Sequence, residues 1–120
     1  MLYLQPYLEE VFRKPLHYTL GYIQYNHRPV FFTSNQGLKE KLVTPFTTYS
    51  SFNLHAWLTT PNLEIIDLTF GTTLGVVTNN PNTYGLGYMQ HYSKFDERMV
   101  YHPQLIGEDY LRRSGGLIEF

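Results

Sequence analysis

Residues 52–70, FNLHAWLTTPNLEIIDLTF, constrain this 120-residue chain more than any other stretch. Phe52, Leu54, Ala56 and Leu58 alternate with Asn53, His55, Trp57 and Thr59, and a period of two means a strand with one face for each set. Thr60-Pro61-Asn62 is turn chemistry, and Leu63 to Phe70 is a β-rich run that follows at once. In an antiparallel hairpin with an odd loop centred on Pro61, Thr59 faces Leu63, Trp57 faces Ile65 and His55 faces Asp67. Opposed side chains lie about 4.5 to 5.5 Å apart at Cβ, which lets a carboxylate orient and charge-stabilise an imidazole. A one-residue slip in the loop would pair His55 with Leu68 and abolish the dyad.

Strands dominate the rest of the chain as well. Pro6 fits the first turn of a helix over Leu4 to Lys14, with Leu4, Leu8, Val11 and Phe12 at helical spacing, and Pro15 stops it. Tyr18 to Tyr25 reads as a strand that turns through Asn26-His27-Arg28 into Val30-Phe31-Phe32-Thr33. Ser34 or Asn35 can cap a short helix over Gln36 to Leu42, ended by Thr44-Pro45, before a polar loop from Thr47 to Ser51. Beyond Gly71, Thr72 to Thr78 is expected as a strand, Asn79-Asn80-Pro81-Asn82 as a turn, and Leu86 to Tyr92 and Met99 to His102 as strands. Glu108 to Arg113 is expected as a helix ending at Gly115-Gly116. The fold class is therefore α+β: an antiparallel sheet of about five strands with two or three short helices, in one domain spanning 1–120.

Composition excludes several functions. The chain has no Cys, so a disulfide scaffold, a thiolate metal site and a cysteine nucleophile are all impossible within it. Nine Lys and Arg against ten Asp and Glu leave a formal charge of −1, which offers no nucleic-acid-sized basic field. Neither an export signal nor a long apolar run is evident, so no membrane partner is expected and the location reads as cytoplasmic. His17, His27, His91 and His102 lack H-x-H or H-x-x-x-H spacing, and neither a metal nor a cofactor is expected. Gly85-Leu86-Gly87 lacks the third glycine of a dinucleotide loop.

The H-A-W of residues 55–57 and the I-D-x-T of residues 66–69 resemble the His and Asp strands of transglutaminase-like, papain-like proteins. In that family a Cys-bearing helix and a strand precede the His strand and the Asp strand. The resemblance makes Tyr18 to Ile23 the intervening strand and Leu4 to Lys14 the tail of the nucleophile helix, so that the Cys would lie at or before Met1. It implies a transglutaminase-like core lacking a full nucleophile helix, a His55–Asp67 pair as the catalytic remnant, and Trp57 and Thr69 of the same motifs as binding positions. In the family a thiol attacks a carboxamide or peptide carbonyl while His takes its proton and Asp holds the His tautomer.

Without that thiol, the expected function is a degenerate domain, a pseudoenzyme that binds a peptide or protein. One alternative is an amide hydrolase or acyl transferase whose nucleophile is upstream, in another chain, or a hydroxyl such as Ser34 or Thr33. Another is a small interaction protein of the phage-inhibitor type. The plain reading of a His opposite an Asp is a structural hydrogen bond, and that of Trp57 is core or groove lining. A helix of about 11 residues, roughly 16 Å, is short cover for such a sheet. An uncovered aromatic face would be buried by a partner or in a homodimer.

Overall fold

The computed structural model describes residues 1–43 and 54–114. Helix α1 runs over Gln5–Phe12, with Pro6 in its first turn, and stops where Arg13 turns left-handed at φ 53°. Strand β1, His17–Tyr25, joins β2, Arg28–Val30, through Asn26 and His27, both at positive φ as a two-residue hairpin turn requires. The second strand is shorter than the apolar run Val30 to Thr33 suggested, because Phe31 takes φ 57° and leaves the ladder. Helix α2, Asn35–Val43, starts with the Ser34 hydroxyl accepting the Gly37 N–H at 3.0 Å.

Strand β3, His55–Thr59, and strand β4, Glu64–Asp67, form the expected hairpin with a wider turn. Thr59 pairs with Ile65 and Leu58 with Ile66, so the loop is Thr60 to Glu64 rather than Thr60 to Asn62. Inside it Thr60 N–H donates to the Glu64 carbonyl, Leu63 N–H to the Thr60 carbonyl, and Leu63 takes φ 65°. A shift of two residues changes the partners and keeps every side chain on its face. The expected strand ends at Phe52 and Asn53, the Thr44-Pro45 stop, the Thr47 to Ser51 loop and the Gly115-Gly116 stop lie outside the described residues.

The expected strand over Thr72 to Thr78 is instead helix α3, Phe70–Thr78. Asp67 Oδ1 accepts the N–H groups of Thr69 and Phe70, placing a carboxylate on the orphan amides of a helix start. The hydroxyls of Thr73 and Thr78 return to the carbonyls of Thr69 and Leu74, four residues back, which absorbs the β-branched polar side chains. Gly71 lies against the backbone of Thr83 and Leu86, where a Cβ would overlap it. Strands β5, Tyr88–His91, and β6, Met99–Ile106, follow, and helix α4 is Asp109–Ser114.

All pairings are antiparallel: β3 and β2 pair with successive stretches of one edge of β1, β6 pairs with its other edge, and β4 and β5 continue outward from β3. This is the expected α+β architecture, with six strands and four α-helices among the described residues. The sheet is strongly curled. From β6 to β4 is three ladder spacings, about 14 Å on a flat sheet, yet the Tyr101 hydroxyl on β6 reaches Asp67 on β4 at 2.6 Å. The outer face buries Tyr18, Leu20, Leu58 and Ile66 against Leu38 of α2, Tyr110 of α4 and Leu8 and Phe12 of α1. The inner face buries Ile23, Trp57, Ile65, Met99 and Tyr101 with Phe70 and Leu74 of α3. The premise of a sheet covered by α1 alone is thus corrected: α2 and α4 join α1 on the outside, because both contribute buried residues to that core. Among the described residues no helix is long and apolar enough to cross a membrane.

Candidate functional site

Along the inner face of β3 the side chains are His55, Trp57 and Thr59, in the alternation the sequence predicts. His55 Nε2 lies 2.8 Å from Asp67 Oδ2, and both side chains are buried. The wider loop makes them diagonal neighbours rather than directly opposed residues, at a separation their side chains span. Opposite His55 on β1 is Gly21, beside a bulge in the β1–β6 ladder. A Cβ at Gly21 would meet the indole of Trp57 and the His102 carbonyl, so glycine leaves the room that both occupy there.

Asp67 carries more than His55. Its Oδ1 accepts Thr69 N–H at 3.1 Å, Thr69 O–H at 3.2 Å and Phe70 N–H at 3.1 Å, and its Oδ2 also accepts Tyr101 O–H at 2.6 Å. Burial pushes the carboxyl upward, but the His55 hydrogen bond and charge, the Tyr101 hydroxyl and the Thr69 amide outweigh it and hold the carboxyl below its ordinary range. An ionised carboxylate only accepts, so Nε2 carries the proton of this bond. Tyr101 is pushed far up by burial, by the Asp67 charge and by their hydrogen bond, and stays a donor across the accessible pH range.

Aromatic rings enclose the imidazole. Phe31 stacks on it at 5.2 Å between centroids and 23° between planes, Phe70 meets it edge-on at 5.7 Å, and Trp57 lies at 6.3 Å. Trp57 in turn meets Tyr101 edge-on at 4.9 Å. Chemically, this is a carboxylate-oriented imidazole in an apolar box, able to hold a proton at Nε2 and to take one at Nδ1. Among the described residues no group is hydrogen-bonded to Nδ1, and Ser34 Oγ is engaged in capping α2.

Of the residues singled out from sequence, His55, Asp67 and Trp57 meet at this site. Thr69 faces Asp67 and closes the first turn of α3, with its carbonyl taking the Thr73 hydroxyl. Tyr101, Phe31 and Phe70 were missed. Phe70 follows the I-D-x-T motif directly and could have been flagged, whereas Tyr101 reaches the site only because the sheet curls. The other histidines lie apart: His91 pairs with Ser93 at 2.8 Å and His102 stacks on Tyr22 at 4.6 Å. Among the described residues no three His, Asp or Glu side chains converge as a metal site would require.

No protein-family model, curated protein or solved structure matches the chain.

Proposed function

We propose that the chain is a degenerate transglutaminase-like domain that keeps the His55–Asp67 pair and works by binding a peptide or protein. The observation that carries this reading is the Asp67 carboxylate itself, which orients His55 as a triad acid would while fastening β3, β6 and α3 together. In a chain with no Cys such a pair lacks the thiol that would need activating, and its remaining work is to hold the inner face in shape. The exposed side chains of Tyr3, Tyr7 and Val11, one turn apart along the first helical segment, offer a docking stripe for a protein partner or a second copy.

A second reading has its own support. Burial lowers the Met1 amino group while the Asp67 charge works against that, so the start of α1 comes within electrostatic reach of the pair. Met1 itself packs on the outer face of the sheet, so a nucleophile that made the unit an amide hydrolase or acyl transferase would have to come from a segment or chain that reaches the inner face. Both readings are tested by selecting a displayed peptide library on the immobilised chain and, separately, offering it generic amides and thioesters. Enrichment of a peptide family that binds His55→Gln as well as the parent chain, with no turnover, supports the binding module. Turnover abolished by His55→Ala overturns it in favour of the enzyme, and failure to enrich any peptide overturns the peptide-binding reading.

A further inference from the structure

Thr59 lies beyond Trp57 on the inner face of β3, and there the curl of the sheet encloses a cavity of about 470 Å³. Its wall is formed by the buried Trp57, Ile65, Tyr101 and Thr19, and its rim by Leu63, Tyr92 and Ile106, all three exposed. A cavity of this size falls within the range of small-molecule sites, about 300 to 1,000 Å³, and apolar lining with few polar groups is their usual chemistry. No lining residue bears a charge at neutral pH, so an ion entering it would lose its hydration without compensation.

A pair of hydroxyls, Thr19 and Thr59, interrupts the apolar wall. Thr19 O–H donates to the His17 carbonyl at 3.0 Å, and the Thr19 and Thr59 hydroxyl oxygens are 2.8 Å apart. Each hydroxyl has a single proton. When the Thr19 proton goes to the His17 carbonyl, the bond between the two threonines uses the Thr59 proton, and Thr59 Oγ1 then has lone pairs left for a ligand. In that arrangement Thr59 presents a hydrogen-bond acceptor to the cavity, which a ligand O–H or N–H can meet.

We infer that this cavity is a binding site for a neutral, largely apolar small molecule carrying a single O–H or N–H donor, seated against Trp57 with its donor on Thr59. About 150 Å³ is enough for benzene, so the site takes a body of roughly two to three such rings or an aliphatic chain of comparable bulk. The exposed Leu63, Tyr92 and Ile106 form an apolar collar at its mouth. Occupancy would bear on Trp57 and Tyr101, which border the cavity on one side and the His55–Asp67 pair on the other. This site stands whether or not the chain binds a peptide.

Trp57 is the only tryptophan, so its fluorescence reports the cavity directly. The probes are 1-decanol, decyl methyl ether of nearly the same shape without a donor, and decanoate, which is charged. The expected result is a saturable change with decanol at one site, two- to tenfold weaker binding of the ether, and no binding of decanoate. Thr59→Val should bring decanol to the level of the ether, and Ile106→Arg at the exposed rim should weaken both by at least tenfold while leaving the fold intact. The absence of a saturable change, equal binding of decanoate, or an Ile106→Arg chain that binds as before would each overturn the assignment. Should Thr59→Val fail to fold, the decanol-to-ether ratio on the parent chain decides the role of the acceptor.

Discussion

The Tyr101 hydroxyl and the His55 imidazole hold the same oxygen of Asp67, at 2.6 Å and 2.8 Å. One residue comes from the last strand of the sheet and the other from the third, so a single carboxylate oxygen clamps the curl. Removing either donor alters the hydrogen bond of the other, and the two are expected to be coupled. A double-mutant cycle of His55→Ala and Tyr101→Phe should show an interaction of roughly 0.5 to 3 kcal/mol in chemical denaturation. Strict additivity would mean that the shared oxygen transmits nothing.

Asp67 accepts five hydrogen bonds from His55, Thr69, Phe70 and Tyr101 and is fully buried. Asp67→Ala leaves a set of buried donors without an acceptor and is expected to cost about 3 to 5 kcal/mol. Helix α3 should fray first, since its opening amides lose their anion. Amide hydrogen exchange of residues 69–73 in Asp67→Ala, which removes the acceptor, checks this: unchanged protection there would show that the helix does not depend on its cap.

Phe31 sits at φ 57°, a backbone conformation that costs a bulky side chain roughly 1 to 2 kcal/mol and is tolerated here while its ring covers His55. Glycine normally destabilises relative to alanine, and here the order should reverse. Phe31→Gly is expected to be more stable than Phe31→Ala by about 1 kcal/mol, both lying below the parent chain through loss of the ring. Thermal melts of the two variants are sufficient to compare them.

The pH dependence has a definite sign at each end. Asp67 is held below its ordinary range in the folded chain, so between the folded value and about 3.9 the unfolded chain binds more protons. Stability from this group is complete above the unfolded value and is lost as pH falls through the folded one. Tyr101 is raised, first by burial and then by the Asp67 charge, so its contribution is full below about 10 and declines as pH rises beyond it. Tyr101→Phe should remove part of the alkaline sensitivity while costing about 1 to 3 kcal/mol at neutral pH. A denaturation series across pH in the two chains measures both effects, and parallel alkaline limbs would count against Tyr101.

Local alternation in the sequence was sufficient to put His55, Trp57 and Thr59 on one face of β3 and Asp67 on the same side of β4. The turn about Pro61 proved two residues wider than its composition implied, and the pair survived because face depends on loop parity rather than loop length. What local pattern could not determine was anything requiring a distant partner. Thr72 to Thr78 has the β-branched look of a strand and becomes helix because the Asp67 carboxylate, set in place by the hairpin, caps its first amides. Likewise Tyr101 joins the pair, and the cavity beside Trp57 forms, only once six strands have curled. Period and turn chemistry are properties of a few neighbouring residues, whereas curl, capping by a remote side chain and cavity shape are set by packing between segments far apart in the chain.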